Sequence, residues 1–296
     1  MKQGWLGLLY ISPLVVFFMA TMVYPFFNMI FQGFMPSQAL LDVGAGVRSG
    51  AEAGFSIPWR ELTWDNYLAV LTDEQTRAAL ILSLVISVVV SVLSIALCIG
   101  PAWLLVRREF WGKRLFRAIL TVPMAFSGII IGFLAVIMIG RVGAIPLFAD
   151  WLFGVPIAEA LAYGLTGLGI AYIWFQIPRA TLNLESAIRK FDWDLESAAH
   201  SLGASSRQTL WHVMIPLLTP AIVSTMAVTF AVSMGSFGVA LLLLKKASIL
   251  PLEIYTQMYS NLAFELAAAL SVELAIITVG INYFLRRYGE RHNAFA

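Results

Sequence analysis

Six apolar stretches alternate with polar ones along the chain, at 5–31, 78–106, 118–140, 160–182, 217–244 and 262–285. At a helical rise of about 1.5 Å per residue, each can cross a hydrocarbon layer of about 30 Å. The first follows a lone Lys2, is longer than the apolar part of a secretory signal, and is not followed by a small-x-small cleavage pattern. It therefore reads as an uncleaved membrane helix. The pattern predicts an all-α integral membrane protein with six transmembrane helices.

Finer patterning separates the stretches. Between the first two lie a Gly/Ala-rich loop and then the run TWDNYLAVLTDEQTRAA, where Asp65 is expected as a helix N-cap and Tyr67, Leu68 and Leu71 as its apolar face. In the second span Ser83, Ser87, Ser91 and Ser94 share one helix face, a spacing that lets helices pack closely and is also compatible with a polar lining. Pro123, Gly128 and Gly132 in the third span favour bending and close backbone approach. The fourth carries Gly164, Gly167 and Gly169 with Tyr172, Trp174, Phe175, Gln176 and Pro178, which argues for burial among other helices. The fifth spans residues 217–244, about 42 Å of helix. That exceeds the hydrocarbon core, and Gly235-Ser236-Phe237-Gly238 is the expected break.

Composition and charge narrow the picture. The 296 residues are 60% hydrophobic and 12% charged, about half the charge of a soluble domain. A single cysteine, Cys98, excludes an internal disulfide, and the three histidines lack metal-ligand spacing. The net charge of +2 does not point to nucleic acid. If the N-terminus is inside, thirteen of the nineteen basic residues fall on inner segments, five of them within 107–117. This bias predicts that both termini are cytoplasmic. The expected organisation is a first helix and outer loop over 1–77, a five-helix core over 78–287, and a tail over 288–296.

One polar island, Phe191 to Pro220, is too patterned to be a linker. Asp192 and Asp194 precede a helical run with Ala198, Ala199 and Leu202 on one side, and Gly203 marks a helix end. A second run over 205–214 leads to Pro216, where a new helix is expected to begin. Two short helices with a sharp turn at the membrane surface are predicted.

Ala198-Ala199, three residues, Gly203, and a later Val213-Met214-Ile215-Pro216 resemble the EAA loop of membrane subunits of binding-protein-dependent ABC importers. Ser197 departs from the pattern where that family has Glu, and Glu196 sits one residue earlier, rotated by about 100° on a helix. The resemblance implies the type I importer permease fold, with a coupling loop over 185–216 that docks on an ATPase. The residues carried over to that contact are Glu196, Ser197, Ala198, Ala199, Leu202, Gly203, Ala204 and Pro216. It also implies two copies of the ATP-binding subunit, a second permease subunit, identical or related, and a periplasmic or surface solute-binding protein. The chain lies in the bacterial inner membrane on this reading. No phosphate-binding Gly-x-x-x-x-Gly-Lys-Ser/Thr occurs: the one Gly-Lys, Gly112-Lys113, has Arg107 and Arg114 where glycine and a hydroxyl residue are needed. No cofactor is expected in this chain, and ATP and Mg belong to the partner.

The path candidates are Tyr172, Gln176, Ser233, Ser236, Phe237 and Gly238, each read in the first place as helix packing and only then as solute contact, together with Glu273. Glu273 lies deep in the sixth span, where a carboxylate costs about 3 kcal/mol on insertion scales. It reads as hydrogen-bonded to a neighbouring helix or as a cation-attracting site; Glu265, near the outer end, is expected to be solvated. The segments around Gly235–Gly238 and Ile249-Leu250-Pro251-Leu252-Glu253-Ile254-Tyr255 are similar to spermidine/putrescine-type permeases, which implies a polyamine or another small charged solute. The alternatives are an ATP-independent carrier or channel, which should show repeated halves, and a membrane-embedded enzyme, which needs paired catalytic groups closer than Glu265 and Glu273.

Overall fold

The computed structural model describes residues 11–36, 62–140, 142–154, 163–245 and 247–293, and every regular element among them is a helix. The start of the expected first span, the Gly/Ala-rich loop and the last residues of the tail lie outside the described residues. In chain order the helices are α1 (Ile11–Gly33), α2 (Asp65–Thr72), α3 (Glu74–Arg107), α4 (Lys113–Thr121), α5 (Gly128–Ile139) and α6 (Ala144–Phe153). They continue as α7 (Leu165–Arg189), α8 (Asp194–Ser201), α9 (Ser206–Met234), α10 (Gly238–Leu243), α11 (Leu250–Tyr259) and α12 (Phe264–Asn293).

Among the described residues five stretches are long and apolar enough to cross a membrane: α1, α3, the segment Gly128–Phe153, α9, and α12 over Phe264–Gly289. The expected fourth span is present as the 25-residue α7 but is not among the five. Gln176, Arg179, Asn183 and Glu185 lower its hydropathy. Gln176 and Glu185 spend their polar groups on partners within the protein.

Two prolines pass through continuous helices by the same device. A widened turn covers Met19–Val23 ahead of Pro25, and another covers Leu210–Met214 ahead of Pro216. Tyr24 and Ile215 each donate to the carbonyl five residues back, Met19 and Leu210. The looser register accommodates the ring and the missing N–H. Hence the fresh start expected at Pro216 is not observed, and the second arm of the polar island runs unbroken into α9.

The chain divides into two compact units. One comprises Met1–Ala78 and Glu253–Ala275. Here Asn66 Nδ2 donates to the carbonyls of Gly33 at 3.0 Å and Met35 at 2.7 Å, and Tyr67 OH donates to Ile30 O at 2.8 Å. A Cβ on Gly33 would sit 2.6 Å from that hydroxyl, so glycine is what lets the ring lie against α1. These contacts invert the expected face of α2: Asn66 and Val70 are buried, while Leu68 and Leu71 are exposed. Nor is Asp65 the cap. It lies inside the first turn, and its N–H bonds to Thr63 Oγ1 at 3.1 Å. Glu265 is 1% exposed rather than solvated. Glu273 Oε2 is buried without a hydrogen-bond partner, so the bond expected to a neighbouring helix is not formed at that atom.

The other unit comprises Ala79–Leu252 and Ile276–Ala296. Its core gathers Ile86, Val90, Ile131, Leu168, Tyr172, Val239 and Leu243. Gly132 and Gly238 bring α5 and α10 together: a Cβ on Gly238 would stand 2.6 Å from Ile129 N, and one on Gly132 would stand 3.2 Å from Val239 Cα. All four serines of α3 are buried. Ser83 Oγ accepts from Leu250 N–H at 2.7 Å and Ser91 Oγ donates to Val88 O at 2.9 Å, which is packing chemistry.

The break expected in the fifth span is present, at Gly235–Phe237 between α9 and α10. A helix end inside a membrane leaves carbonyls that lipid cannot satisfy. Hydroxyls of α7 and of the break itself meet that need: Tyr172 OH donates to Ser236 O, and Ser236 Oγ donates to Val232 O at 2.9 Å. Gln176 Nε2 ties α7 to the turn before the break, donating to Thr229 O at 2.8 Å and Ser233 Oγ at 3.0 Å.

Candidate functional site

The polar island folds into a hairpin. Asp192 Oδ1 accepts from Asp194 N–H at 3.0 Å at the start of α8. At the other end Gly203 takes φ +86°, a left-handed geometry that costs a residue with a Cβ. Gly203 N–H bonds to His200 O at 3.0 Å and Ala204 N–H to Ala199 O at 3.1 Å, the paired closure of a Schellman motif. His200 Nδ1 lies 2.9 Å from Ala204 O and adds a tie across the turn. Ser205 and Gln208 then form a reciprocal capping box that starts α9. Both arms of the turn are thus fixed by local hydrogen bonds.

The hairpin is clamped to the end of α3. Arg107 Nη2 meets Glu196 Oε1 at 2.7 Å, and the same guanidinium lies 4.5 Å from the centre of the Trp193 ring. Trp193 in turn meets Trp103 and Phe191 edge to face. Glu196 therefore faces its own chain, and Ser197 occupies the solvent side. Ala199 alone in α8 is buried. Ala198, Leu202 and Gly203 point outward, and Leu202 is 89% exposed at the apex. Ala204 is half-buried, and Pro216 is exposed beyond the widened turn. An apolar knob held on a rigid, otherwise polar hairpin is suited to insertion into a partner's groove.

A second ionic cluster lies nearby on the chain. Glu185, beyond the apolar stretch of α7, accepts from Arg117 at 2.5 Å and from Arg189 at 2.7 Å. Burial opposes its ionisation, but hydrogen bonds and charge from Arg189 and Arg117 outweigh that and hold the carboxyl below its usual range. It serves as the joint between α4 and α7.

The structure brings together five of the residues picked as path candidates, with Phe237 half-buried beside them. Tyr172, Gln176, Ser233, Ser236 and Gly238 surround the break in α9, where the first two supply hydrogen bonds from α7 and Gly238 a close contact with α5. Glu273 lies in the other compact unit.

Sequence reasoning missed an open groove of about 690 Å³ between α7, α9 and α12, lined by Asn183, Ser186, Lys190, Ser224, Thr225 and Arg286, among others. A signal was available. Gln176, Arg179, Asn183, Ser186 and Lys190 recur at helical spacing as a polar stripe along α7. Among the described residues no group of three His, Cys, Asp or Glu is placed to hold a metal.

A family model described as "Binding-protein-dependent transport system inner membrane component" matches residues 93–291. The molybdenum transport system permease protein ModB of Escherichia coli K12 is 30% identical over 226 residues, covering 74% of this chain and 96% of that one. The sulfate transport system permease protein CysW of Synechocystis is 28% identical, covering 77% and 83%. Among solved structures, a bacterial alginate ABC transporter in complex with its alginate-bound periplasmic protein superposes with a TM-score of 0.76 at 16% identity, over 98% of this chain and 96% of that one. At that identity the likeness is one of fold.

Proposed function

Because the chain belongs to the family of binding-protein-dependent transport system inner membrane components, we propose that its hairpin of α8, Gly203 and the start of α9 couples a separate ATPase to a solute path. The protein is an ABC transporter permease subunit, multi-pass in the inner membrane, and ATP hydrolysis resides on a partner. The observation that carries the coupling role is Leu202, 89% exposed at the apex of a turn fixed on both sides. With Ala198 and Gly203 beside it, the apex offers a partner a small apolar contact without bulk. The carboxylate of Glu196 is already committed to Arg107, so docking rests on shape and apolar burial rather than on an ion pair at the motif's first position.

In this reading α7 is the remaining span, both termini are cytoplasmic, and the hairpin lies on the cytoplasmic side. Two ATP-binding subunits, a second permease subunit and a solute-binding protein complete the importer. Tyr172, Gln176, Ser233, Ser236, Phe237 and Gly238 set the geometry of the α9 break beside the path. The polyamine expected from the spermidine/putrescine resemblance has no counterpart in relatives named for molybdenum and sulfate. A small tetrahedral oxyanion, the form in which both elements dissolve in water, is the substrate class those names support.

Co-expression with a cognate ATPase and solute-binding protein, purification in mild detergent and reconstitution into vesicles test the reading. Expected are a stable complex with the ATPase and ATP-dependent uptake of sulfate or molybdate. Uptake that proceeds without ATP, or a permease that binds no ATPase, would instead indicate a carrier or channel.

A further inference from the structure

The groove between α7, α9 and α12 has a composition that the coupling role does not explain. Its lining supplies hydroxyls and an amide from Ser186, Ser224, Thr225 and Asn183, and two cations, Lys190 and Arg286. No carboxylate lines it. Among the described residues neither Lys190 nor Arg286 lies within ion-pair distance of an acidic side chain. Asp192 and Asp194, the acids nearest Lys190 in sequence, do not line the groove and form no ion pair among the described residues, and Glu185 is bound to Arg117 and Arg189. Neither cation of the groove has an ion-pair partner among the described residues.

The polar stripe continues from the groove along α7. Arg179 stands one helical turn from Asn183, and its Nη1 bonds to Gln176 Oε1 at 3.0 Å. Gln176 is itself fixed by Thr229 and Ser233 of α9, so this guanidinium is tethered to a neutral amide, leaving its charge uncompensated. A cleft with low-dielectric walls and one sign of charge focuses its field and concentrates the opposite ion. Hydroxyl and amide donors can then replace the hydration of a tetrahedral oxyanion without binding it so tightly that it cannot leave.

We infer that this groove is one wall of the passage for the transported anion, with Lys190 and Arg286 attracting a small divalent oxyanion and Ser224 and Asn183 donating to it. The inference rests on the importer reading above and adds the residues that choose the sign of the solute. The groove is open rather than enclosed, and a second permease subunit is the partner that would close it into a passage.

Two measurements separate failure of this inference from failure of the importer reading. The first uses the reconstituted complex with labelled sulfate as probe. Lys190→Gln with Arg286→Gln should raise the KM for uptake by about tenfold or more, while Lys190→Arg should stay within about twofold of the parent. A double variant that assembles and takes up sulfate with the parent KM overturns the anion passage.

The second needs no transport. In detergent-solubilised protein, Ser224→Cys offers a groove thiol, while the native Cys98 is 1% exposed and silent. An anionic methanethiosulfonate should label that thiol about ten times faster than a cationic one, and the preference should vanish in Lys190→Gln with Arg286→Gln. Equal rates in the parent, or a faster cationic reagent, overturn the inference even if the double variant fails to assemble. A parent that shows the labelling preference but no ATP-dependent uptake would overturn the importer reading instead.

Discussion

Arg107 and Glu196 meet at 2.7 Å between the last turn of α3 and the first turn of α8. The pair fixes which way the hairpin faces: with Glu196 turned to its own chain, Ser197 and Ala198 turn to solvent. Its ionic energy is small, since the Arg107 side chain is 40% exposed and surface pairs contribute about 0.2–1 kcal/mol. Arg107 also stacks on Trp193, a contact that Glu196 does not share. Arg107→Ala should therefore cost more stability than Glu196→Gln, and a double-mutant cycle should return a coupling under about 1 kcal/mol. ATPase binding should survive Glu196→Gln.

Leu202 has almost nothing to lose in the isolated subunit. Leu202→Asp should change stability by no more than about 0.5 kcal/mol, yet weaken binding of the ATPase by about thirtyfold or more, the loss typical of a buried interface anchor. Titration of purified ATPase onto the permease in nanodiscs measures it. Gly203 separates backbone from bulk. A Cβ there meets nothing within 4 Å but is strained by φ +86°. Gly203→Ala should cost about 1 kcal/mol with ATPase docking retained, and Gly203→Trp should abolish docking while leaving membrane insertion intact. Normal uptake in the Trp variant would remove the coupling role.

The break in α9 depends on neighbours as well as on its own residues. Tyr172→Phe removes the donor to Ser236 O and should lower stability by about 1–3 kcal/mol through an orphaned carbonyl. Gly238→Ala places a Cβ against the Ile129 backbone, which cannot rotate away, and should cost at least as much. Thermal unfolding in detergent reads both.

Glu185 makes stability depend on acidity. Its carboxyl is held below the reference value of 4.5 by Arg189 and Arg117, against the effect of burial. The contribution is therefore fully present above about pH 4.5 and is lost as pH falls through the lower folded value. Glu185→Gln should be less stable than the parent at neutral pH, and the two should converge at acid pH. A constant gap down to pH 3 would show that the loss is one of packing alone.

Some of this was legible along the chain because it depends on local repetition. Twenty-odd apolar residues in a row can only be satisfied as a helix in lipid, and that settled the class and most of the long helices. The two glycines flanking Ser236 and Phe237 announced the break in α9, and Gly203 announced the turn, because only local backbone freedom was at stake. The face of α2 was misread for a matching reason. Asn66 is buried because the carbonyls of Gly33 and Met35, more than thirty residues away, need a donor. Helix α7 shows the same limit, since polar residues that lower its hydropathy are satisfied by side chains and carbonyls on α4 and α9.

The coupling hairpin divides along the same line. Its helices, turn and motif spacing were written in residues 191–216, where each hydrogen bond joins neighbours. Which side faced outward was not, because rotation of α8 is set by Arg107 and Trp103, some ninety residues earlier. The cationic groove needed three helices to bring Lys190, Ser224 and Arg286 to one surface. Short-range hydrophobicity and backbone preference determine which elements form. Partners distant in sequence decide which face of each element is buried, and so which residues are left free to act.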